Sequence, residues 1–140
     1  MSVERRTTLT PTQVEDLHRL YQNEWWTRGR YLEDVQRMVR HSDLMFALVD
    51  SDSKRLLAFA RVLSDRVFKA FLFDVIVDPE HRKKGLGRQI MDWIREAPEL
   101  SGVKHFEVYC LPEMVPYYER LGFTTDVGGI YLMRRMGGGG

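Results

Sequence analysis

A short basic segment that contains two glycines is the part of this sequence most suited to chemistry. The segment Arg82–Arg88 contains four cationic side chains and two glycines, Gly85 and Gly87, which are separated by one residue. Apolar residues at helical spacing follow from Leu86. A helix N-terminus carries unpaired N–H groups and a partial positive charge, and glycines let an anion approach the backbone. The segment therefore predicts a turn that binds a pyrophosphate.

Two familiar glycine-rich loops do not match this segment. The pattern G-x-x-x-x-G-K-[ST] of nucleoside triphosphate-binding loops occurs nowhere in the chain. The dinucleotide-binding fingerprint needs a third glycine three residues after Gly87, where the chain has Ile90. By itself, the glycine pair also fits a tight strand-to-helix turn with a solvated basic rim.

Size and composition limit the class of protein. A chain of 140 residues is expected to form one domain, here residues 1–136, and the glycines at 137–140 are expected to be a flexible tail. The formal net charge of +1 argues against nucleic acid as a partner. No apolar run is long enough for a membrane span, and the single Cys110 cannot form an intramolecular disulfide. The single cysteine, the lack of a signal-peptide-like apolar segment and the lack of a membrane-length run lead us to expect a soluble cytoplasmic protein. The spacing of the histidines indicates no metal site.

The order of helical and strand-like segments predicts an α/β domain. One strand-like segment is nearly all apolar except for Asp74, which favours a central position in the sheet. The predicted segments are a weakly marked strand at 3–8, helices from 11 to about 24 and from about 31, strands at 44–50, 55–64 and 69–78, a helix at 86–97, a strand at 103–110, a short helix at 115–121 and a closing hairpin at 123–135.

Two motifs resemble the Gcn5-related N-acetyltransferase (GNAT) superfamily. The stretch Arg82–Gly87 is similar to its acetyl-CoA-binding signature, [R/Q]-x-x-G-x-[G/A], and Val77–Pro79 resembles the V-x-P step that precedes it. The stretch Pro116–Phe123, "PYYERLGF", resembles the second hallmark of the family, an aromatic-Tyr-x-x-x-G-F segment. One position departs from the pattern, because Leu111 stands where many members place an asparagine that contacts the cofactor.

The resemblance covers nearly the whole chain and implies both a fold and an activity. The fold is a mixed, mostly antiparallel sheet of about six to seven strands with helices on both faces. The activity is transfer of an acetyl group from acetyl-CoA to a primary amine of a small molecule or peptide, within one ternary complex. A catalytically silent acyl-CoA sensor is the alternative, and a homodimer is left open.

The resemblance also implies roles for individual residues. Tyr118 matches the general acid of the family, and the general base is left open among Asp74, Glu107 and Glu24. Asp74 also fits a structural role, accepting hydrogen bonds where the fourth and fifth strands of the family separate. The residues expected to bind the cofactor are Val75, Ile76, Val77, Arg82, Lys83, Lys84, Gly85, Leu86, Gly87 and Arg88.

The segment between the first two helices is expected to form one wall of the acceptor site. Its aromatic side chains would line the site, and its arginines would bind a carboxylate or phosphate on the acceptor. The other interpretation is that the aromatic residues hold the helix–helix corner while the arginines are solvated. The residues concerned are Trp25, Trp26, Arg28, Arg30 and Tyr31.

Overall fold

The computed structural model describes residues 2–138, so of the tail predicted at 137–140, residues 139 and 140 lie outside the described residues. The chain divides into two compact units, Met1–Tyr109 and Cys110–Gly140. The first unit contains a β-sheet and three helices, and the second contains a short helix followed by an extended segment. The single domain expected over residues 1–136 remains a prediction.

The sheet of the first unit has five strands in the same spatial order as in the sequence. The first four are antiparallel neighbours, and the fifth runs parallel to the fourth because a helix connects the two. The predicted α/β fold with a mixed, mostly antiparallel sheet is therefore confirmed. The strands are β1 (Val3–Arg6), β2 (Leu44–Asp50), β3 (Leu56–Ser64), β4 (Lys69–Val77) and β5 (His105–Val108).

The helices begin where the sequence signals predict. Thr10 and Gln13 form a reciprocal capping box, in which the Gln13 N–H donates to Thr10 Oγ1 at 3.1 Å and the Thr10 N–H donates to Gln13 Oε1 at 3.0 Å. No helix in the described part of the chain has the length and apolar character required to cross a bilayer. The helices are α1 (Pro11–Gln22), α2 (Leu32–His41), α3 (Leu86–Glu96) and α4 (Val115–Glu119).

Helices cover both faces of the sheet in the first unit. Ala47 and Val49 of β2 belong to the core cluster that contains residues of α1 and α2. Phe46, the neighbour of Ala47, packs edge-on against Trp93 of α3, with ring centroids 4.9 Å apart. Because successive side chains of a strand point to opposite faces, α3 lies on the face opposite to α1 and α2. This part of the predicted architecture is also confirmed.

β4 is irregular in the middle and loses one neighbour along its second half. The register between β3 and β4 shifts between Phe59 and Arg61, and Asp74 has a φ of +57°, as expected for a bulge. Pairing with β5 ends at the Leu72–Val108 pair. Residues 73–77 of β4 therefore have no strand partner on that edge within residues 2–138.

The predicted strand count is wrong, because the described residues contain five strands and the hairpin at 123–135 does not form. Gly128 and Gly129 both have a φ of +75°, as a two-residue hairpin turn requires. The residues after this turn, however, pack against no core, since Ile130 is 73% and Tyr131 is 87% exposed. An isolated two-stranded hairpin without a buried face is marginally stable in water, so the turn alone does not create strands.

Candidate active site

The basic segment forms a compact turn that leads from β4 into α3. Asp78 begins the turn by accepting a hydrogen bond from the Glu80 N–H at 2.9 Å. Lys83 and Gly85 have positive φ values of +66° and +79°, which bend the chain sharply before the helix. The first helical hydrogen bond is donated by the Gln89 N–H to the Gly85 carbonyl at 3.0 Å. The N–H groups of residues 86–88 therefore precede this bond and are available to an anion.

The charged side chains of the turn lie at the surface, and those that form ion pairs do so with surface carboxylates. Arg82 forms an ion pair with Glu24, and Arg88 Nε lies 3.3 Å from Asp92 Oδ1. Lys83–Lys84 is exposed and forms no ion pair with the rest of residues 2–138. Ion pairs at the surface contribute little free energy, so these arginines can exchange a carboxylate for a phosphate at small cost.

The second half of β4 offers backbone rather than side chains. Ile76 pairs with Phe59 of β3 and Val77 pairs with Ala58, so one edge of this segment is satisfied within the sheet. The Ile76 side chain is buried in the core, and Val75 is half-buried. The other edge is open to pairing with an extended ligand that carries amide groups.

Asp74, at the bulge of β4, connects four parts of the first unit. Its side chain is 5% exposed and accepts a hydrogen bond from the Tyr21 hydroxyl at 3.0 Å. The guanidinium of Arg30 donates to both carboxylate oxygens, at 2.8 and 3.2 Å. Arg61 Nε donates to Oδ2 at 2.8 Å. One carboxylate thus joins α1, the α1–α2 connection, β3 and β4.

This environment determines the proton affinity of Asp74. Burial acts to raise the pKa of the carboxyl group, but hydrogen bonds and charge from Arg30 and Arg61 outweigh burial and lower it. Protonation would neutralise the carboxylate and so weaken its ion pairs with both guanidinium groups. The geometry thus favours the structural interpretation of Asp74 over a role as general base.

The other two candidate bases are also ion-paired. Glu107 of β5 pairs with Lys69 of β4, and Glu24, just after α1, pairs with Arg82. Both glutamates are partly exposed, with 34% and 24% of their side-chain surface accessible. All three carboxylates that the sequence suggested as bases therefore have cationic partners.

Arg61 and Tyr21 belong to the Asp74 cluster but were not among the predicted site residues. Arg61 carries the only charge between Leu56 and Ser64, as Asp74 does within the apolar part of β4. Two opposite charges in consecutive apolar strands could have indicated the pair. Tyr21 gave no such signal, because its ring fits the apolar stripe of α1 and only the fold shows where its hydroxyl points.

The aromatic residues between α1 and α2 do not hold the helix–helix corner. Trp25 is 66%, Trp26 41% and Tyr31 71% exposed. The corner is instead held by the buried Thr27, whose hydroxyl donates to the Tyr21 carbonyl oxygen at 2.7 Å. The three aromatic side chains are therefore accessible to a ligand.

The two arginines of this connection have different environments. Arg28 is exposed and donates from Nε to the Gln22 carbonyl oxygen at 3.3 Å. Arg30 is half-buried, and its guanidinium lies over the Tyr21 ring at 4.6 Å while it binds Asp74. Of the two, Arg30 joins the polar cluster and Arg28 does not.

An aromatic patch lies on β4 beside the point where pairing with β5 ends. The rings of Phe71, Phe73 and Tyr109 have centroids 5.6 to 6.2 Å apart, and Tyr109 is 48% exposed. The Arg61 guanidinium lies over the Phe73 ring at 4.9 Å. Arg61 therefore connects the aromatic patch to the Asp74 cluster.

In the second unit, Tyr118 is buried on α4 between two aromatic rings. Its centroid lies 5.1 Å from that of Tyr117 and 5.6 Å from that of Phe123. Gly122, with a φ of +96°, ends the helix so that the Phe123 N–H donates to the Tyr118 carbonyl oxygen at 3.1 Å. Burial, with smaller contributions from Tyr117 and Cys110, raises the pKa of Tyr118 to about 12. The Y-x-x-x-G-F spacing thus places Phe123 against the Tyr118 ring in a small aromatic cluster.

We expect Asp74→Asn to lower the free energy of unfolding at pH 7 by about 2 kcal/mol, since charged hydrogen bonds are lost. The folded pKa lies below the ordinary value of 3.8, so the carboxylate contributes stability above about pH 4. That contribution disappears as pH falls through the folded pKa. Thermal unfolding from pH 7 to 3 should show the gap between the two proteins narrowing at acid pH. Asp52→Asn, at an exposed carboxylate, is the control, and a gap that did not depend on pH would contradict this assignment.

Comparison with known proteins identifies relatives of this chain. A chloroplastic GCN5-related N-acetyltransferase 1 of Arabidopsis thaliana is 32% identical over 96 residues, which is 69% of this chain and 49% of that protein. A chloroplastic serotonin N-acetyltransferase 2 of Oryza sativa subsp. japonica is 37% identical over 100 residues, or 69% of this chain and 50% of that protein. The chain thus spans about half the length of these two relatives.

The fold and the family agree with these relatives. A GNAT-family protein from Xanthomonas campestris pv. campestris has a crystal structure that matches with a TM-score of 0.82 and 34% identity, over 97% of this chain and 94% of that one. The family model described as "Acetyltransferase (GNAT) family" matches residues 12–123. This chain therefore belongs to the GNAT acetyltransferase family.

Proposed function

We propose that this protein transfers an acetyl group from acetyl-CoA to a primary amine of a small molecule or peptide, by direct attack in a ternary complex. The observation that carries the proposal is the continuity of β4 with the basic turn. Residues 73–77 have no strand partner on one edge within residues 2–138, and the turn at 78–85 connects them to the N-terminus of α3. An extended ligand with amide groups and a diphosphate fits that succession of features.

The diphosphate would bind at the start of α3. The N–H groups of residues 86–88 supply hydrogen-bond donors, and the helix dipole adds a favourable field. Lys83 and Lys84 supply charge without losing an ion pair, while Arg82 and Arg88 would exchange their carboxylate partners for phosphate oxygens. Gly85 and Leu86 form the junction between the turn and α3. Gly87 has no side chain that would block an anion at the first turn of the helix.

The pantetheine arm would pair with β4 as an added strand. Its amides match the main-chain groups of Val75, Ile76 and Val77 on the edge that β5 leaves open. A main-chain N–H at Ile76 or Val77 would also polarise the thioester carbonyl, where negative charge develops during attack. This use of the backbone explains why the side chains of the segment are simply apolar.

Tyr118 would donate a hydrogen bond to the departing thiolate. With a tyrosine pKa of about 12 and a thiol pKa of about 8.5, complete proton transfer is uphill by about 3.5 units, or about 5 kcal/mol. The Tyr118 hydroxyl is therefore expected to donate a hydrogen bond to the sulfur as negative charge develops there. Its proton would be transferred only late in the step.

The acceptor would enter as the free amine. Asp74, Glu107 and Glu24 are all held by cations, so none is an unencumbered base. An amine with a pKa of about 10.4 then loses its proton to solvent before it is bound. The role of Asp74 is to position Arg30 and Arg61 rather than to accept that proton.

The exposed aromatic residues suggest an acceptor with an apolar or aromatic part. Trp25, Trp26 and Tyr31 lie in the α1–α2 connection, and Tyr109 lies in the patch on β4. The relative from rice is named for serotonin, so arylalkylamines belong in an acceptor screen beside amino acids, polyamines and peptides. The screen would measure free thiol released from acetyl-CoA.

A silent acyl-CoA sensor remains the second candidate, because each candidate base is ion-paired and Leu111 replaces the expected asparagine. Isothermal titration with coenzyme A separates the two candidates when it is combined with the acceptor screen. Tight binding without turnover of any amine would favour the sensor. Absence of binding would reject both.

We expect Gly87→Glu to weaken acetyl-CoA binding by at least tenfold, because it places bulk and negative charge in the space of the diphosphate. Calorimetric titration measures the effect. Gly102→Glu is the matched control, since Gly102 is exposed and has open space around its Cα. Equal affinities for Gly87→Glu and the wild-type protein would count against the assigned site.

We expect Tyr118→Phe to lower kcat by about a hundredfold while leaving the Kd for acetyl-CoA nearly unchanged, since the hydroxyl acts only on the leaving group. Steady-state kinetics and calorimetry provide the two values. Tyr131→Phe, at a residue that is 87% exposed, is the control and should behave as the wild type. A Tyr118→Phe protein with unaltered kcat would remove this hydroxyl from the mechanism.

We expect kcat/KM to rise with pH toward the pKa of the acceptor amine itself, without a plateau near neutrality. The measurement is kcat/KM as a function of pH for two acceptors whose amines differ in pKa. The two pH profiles should be displaced along the pH axis by the difference between the two amine pKa values. A common plateau for both acceptors, at a pH set by the protein, would instead identify a general base.

A further inference from the structure

The cluster around Asp74 has more positive than negative charge. Arg30 and Arg61 share this one carboxylate, and the hydroxyl of Tyr21 is neutral because burial raises its pKa well above 10.0. The formal charge of the group is therefore +1. The side chains of Arg30 and Arg61 are 32% and 15% exposed, so both cationic side chains are largely shielded from water. A partly buried cation without a matching anion is unfavourable until an anion joins it.

Arg61 has unused donors in this cluster. It binds Asp74 through Nε, and its two Nη groups donate to no acceptor within residues 2–138. One face of its guanidinium lies over the Phe73 ring at 4.9 Å. Held by the carboxylate on one side and by the ring on one face, the guanidinium keeps its Nη groups in a fixed orientation. Such a fork suits a carboxylate or phosphate, which it can bind through two parallel hydrogen bonds.

The position of Arg61 relates this fork to the proposed acetyl-transfer site. Arg61 lies opposite Phe73 in the β3–β4 register, and Phe73 is the first residue of β4 beyond its pairing with β5. Ile76, where a main-chain N–H would polarise the thioester, is three residues further along, or about 10 Å at the rise of a strand. A small molecule spans that separation with the help of the long arginine side chain.

We propose that Arg61, assisted by Arg30 and oriented by Asp74, binds an anionic group of the acceptor, so that the preferred acceptor is a small amine bearing a carboxylate or a phosphate. The inference rests on the proposed acetyltransferase function and specifies the acceptor class of that same site. Arg61 is a specificity-determining residue in this scheme, and Asp74 is a positioning residue that does not touch the acceptor.

Matched acceptor pairs test this preference. Phenylethylamine is compared with phenylalanine, serotonin with 5-hydroxytryptophan, and ethanolamine with O-phosphoethanolamine, using thiol release from acetyl-CoA. We expect kcat/KM to be about ten- to a hundredfold higher for the anionic member of at least one pair, mainly through a lower KM. The first two pairs test a carboxylate and the third tests a phosphate, so the result distinguishes the two sources of charge.

Arg61→Gln should reduce this ratio to near unity, because a neutral amide offers no charged pair of donors to the anion. Arg61→Lys keeps the charge but loses the fork, so its ratio should fall between those of Arg61→Gln and the wild type. Arg37→Gln, at an exposed arginine of α2 for which no ion pair is found in the described chain, is the matched control and should retain the full ratio. Thermal unfolding of each variant establishes that the fold is intact.

A second measurement decides the proposal even when no acceptor is turned over. Acetate and inorganic phosphate are titrated into the ¹⁵N-labelled protein, and the Nε–Hε signal of Arg61, identified by its loss in Arg61→Gln, is followed. Saturable movement of this signal supports the anion subsite, and a signal unmoved by both anions overturns it. Neutral amines that are acetylated as well as their anionic partners would also overturn the inference, while leaving the proposed acetyltransferase function intact.

Discussion

The arrangement of the first unit depends on the hydrogen bonds that the carboxylate of Asp74 accepts. It lies at a bulge of β4 and receives hydrogen bonds from α1, from the α1–α2 connection and from β3. A buried charge is tolerated only when it is paired and fully hydrogen-bonded, so these partners are obligatory and not accessory. The same contacts fix two guanidinium groups beside the aromatic patch. The stability of the first unit and the proposed recognition of the acceptor therefore both depend on this side chain.

The second constraint is the early end of the β4–β5 pairing. The parallel strand β5 pairs with β4 only as far as Leu72, and no other strand in the described part of the chain pairs with that edge of the remaining residues of β4. Unpaired backbone groups at a sheet edge favour a ligand that can complete the hydrogen bonding. A turn of eight residues connects this edge to the N-terminus of α3, which is the basis for proposing that one extended ligand binds to both.

Much of the fold followed from local sequence signals. β2 spans Leu44–Asp50 as the strand pattern predicted, and α1 begins at the capping box that Thr10 and Gln13 form. The hairpin after Phe123 was the main failure. Its glycine turn has the expected φ values, but strands need a buried face, and the apolar residues that follow Gly129 are exposed. The alternation of polar and apolar residues predicts a strand but cannot show whether a packing partner is present to bury its apolar face.

The sequence alone determined the family, the positions of most elements and the basic glycine turn, because these depend on periodicity, on capping and on a contiguous motif. Tertiary structure decided what the charged residues do. Pairing of β3 with β4 brings Arg61 to Asp74, and the packing of α1 brings Tyr21, which is 53 positions away in the sequence. Hydrogen bonds between distant elements leave no periodic trace in a single sequence, so the full set of donors to that carboxylate is visible only in the folded chain.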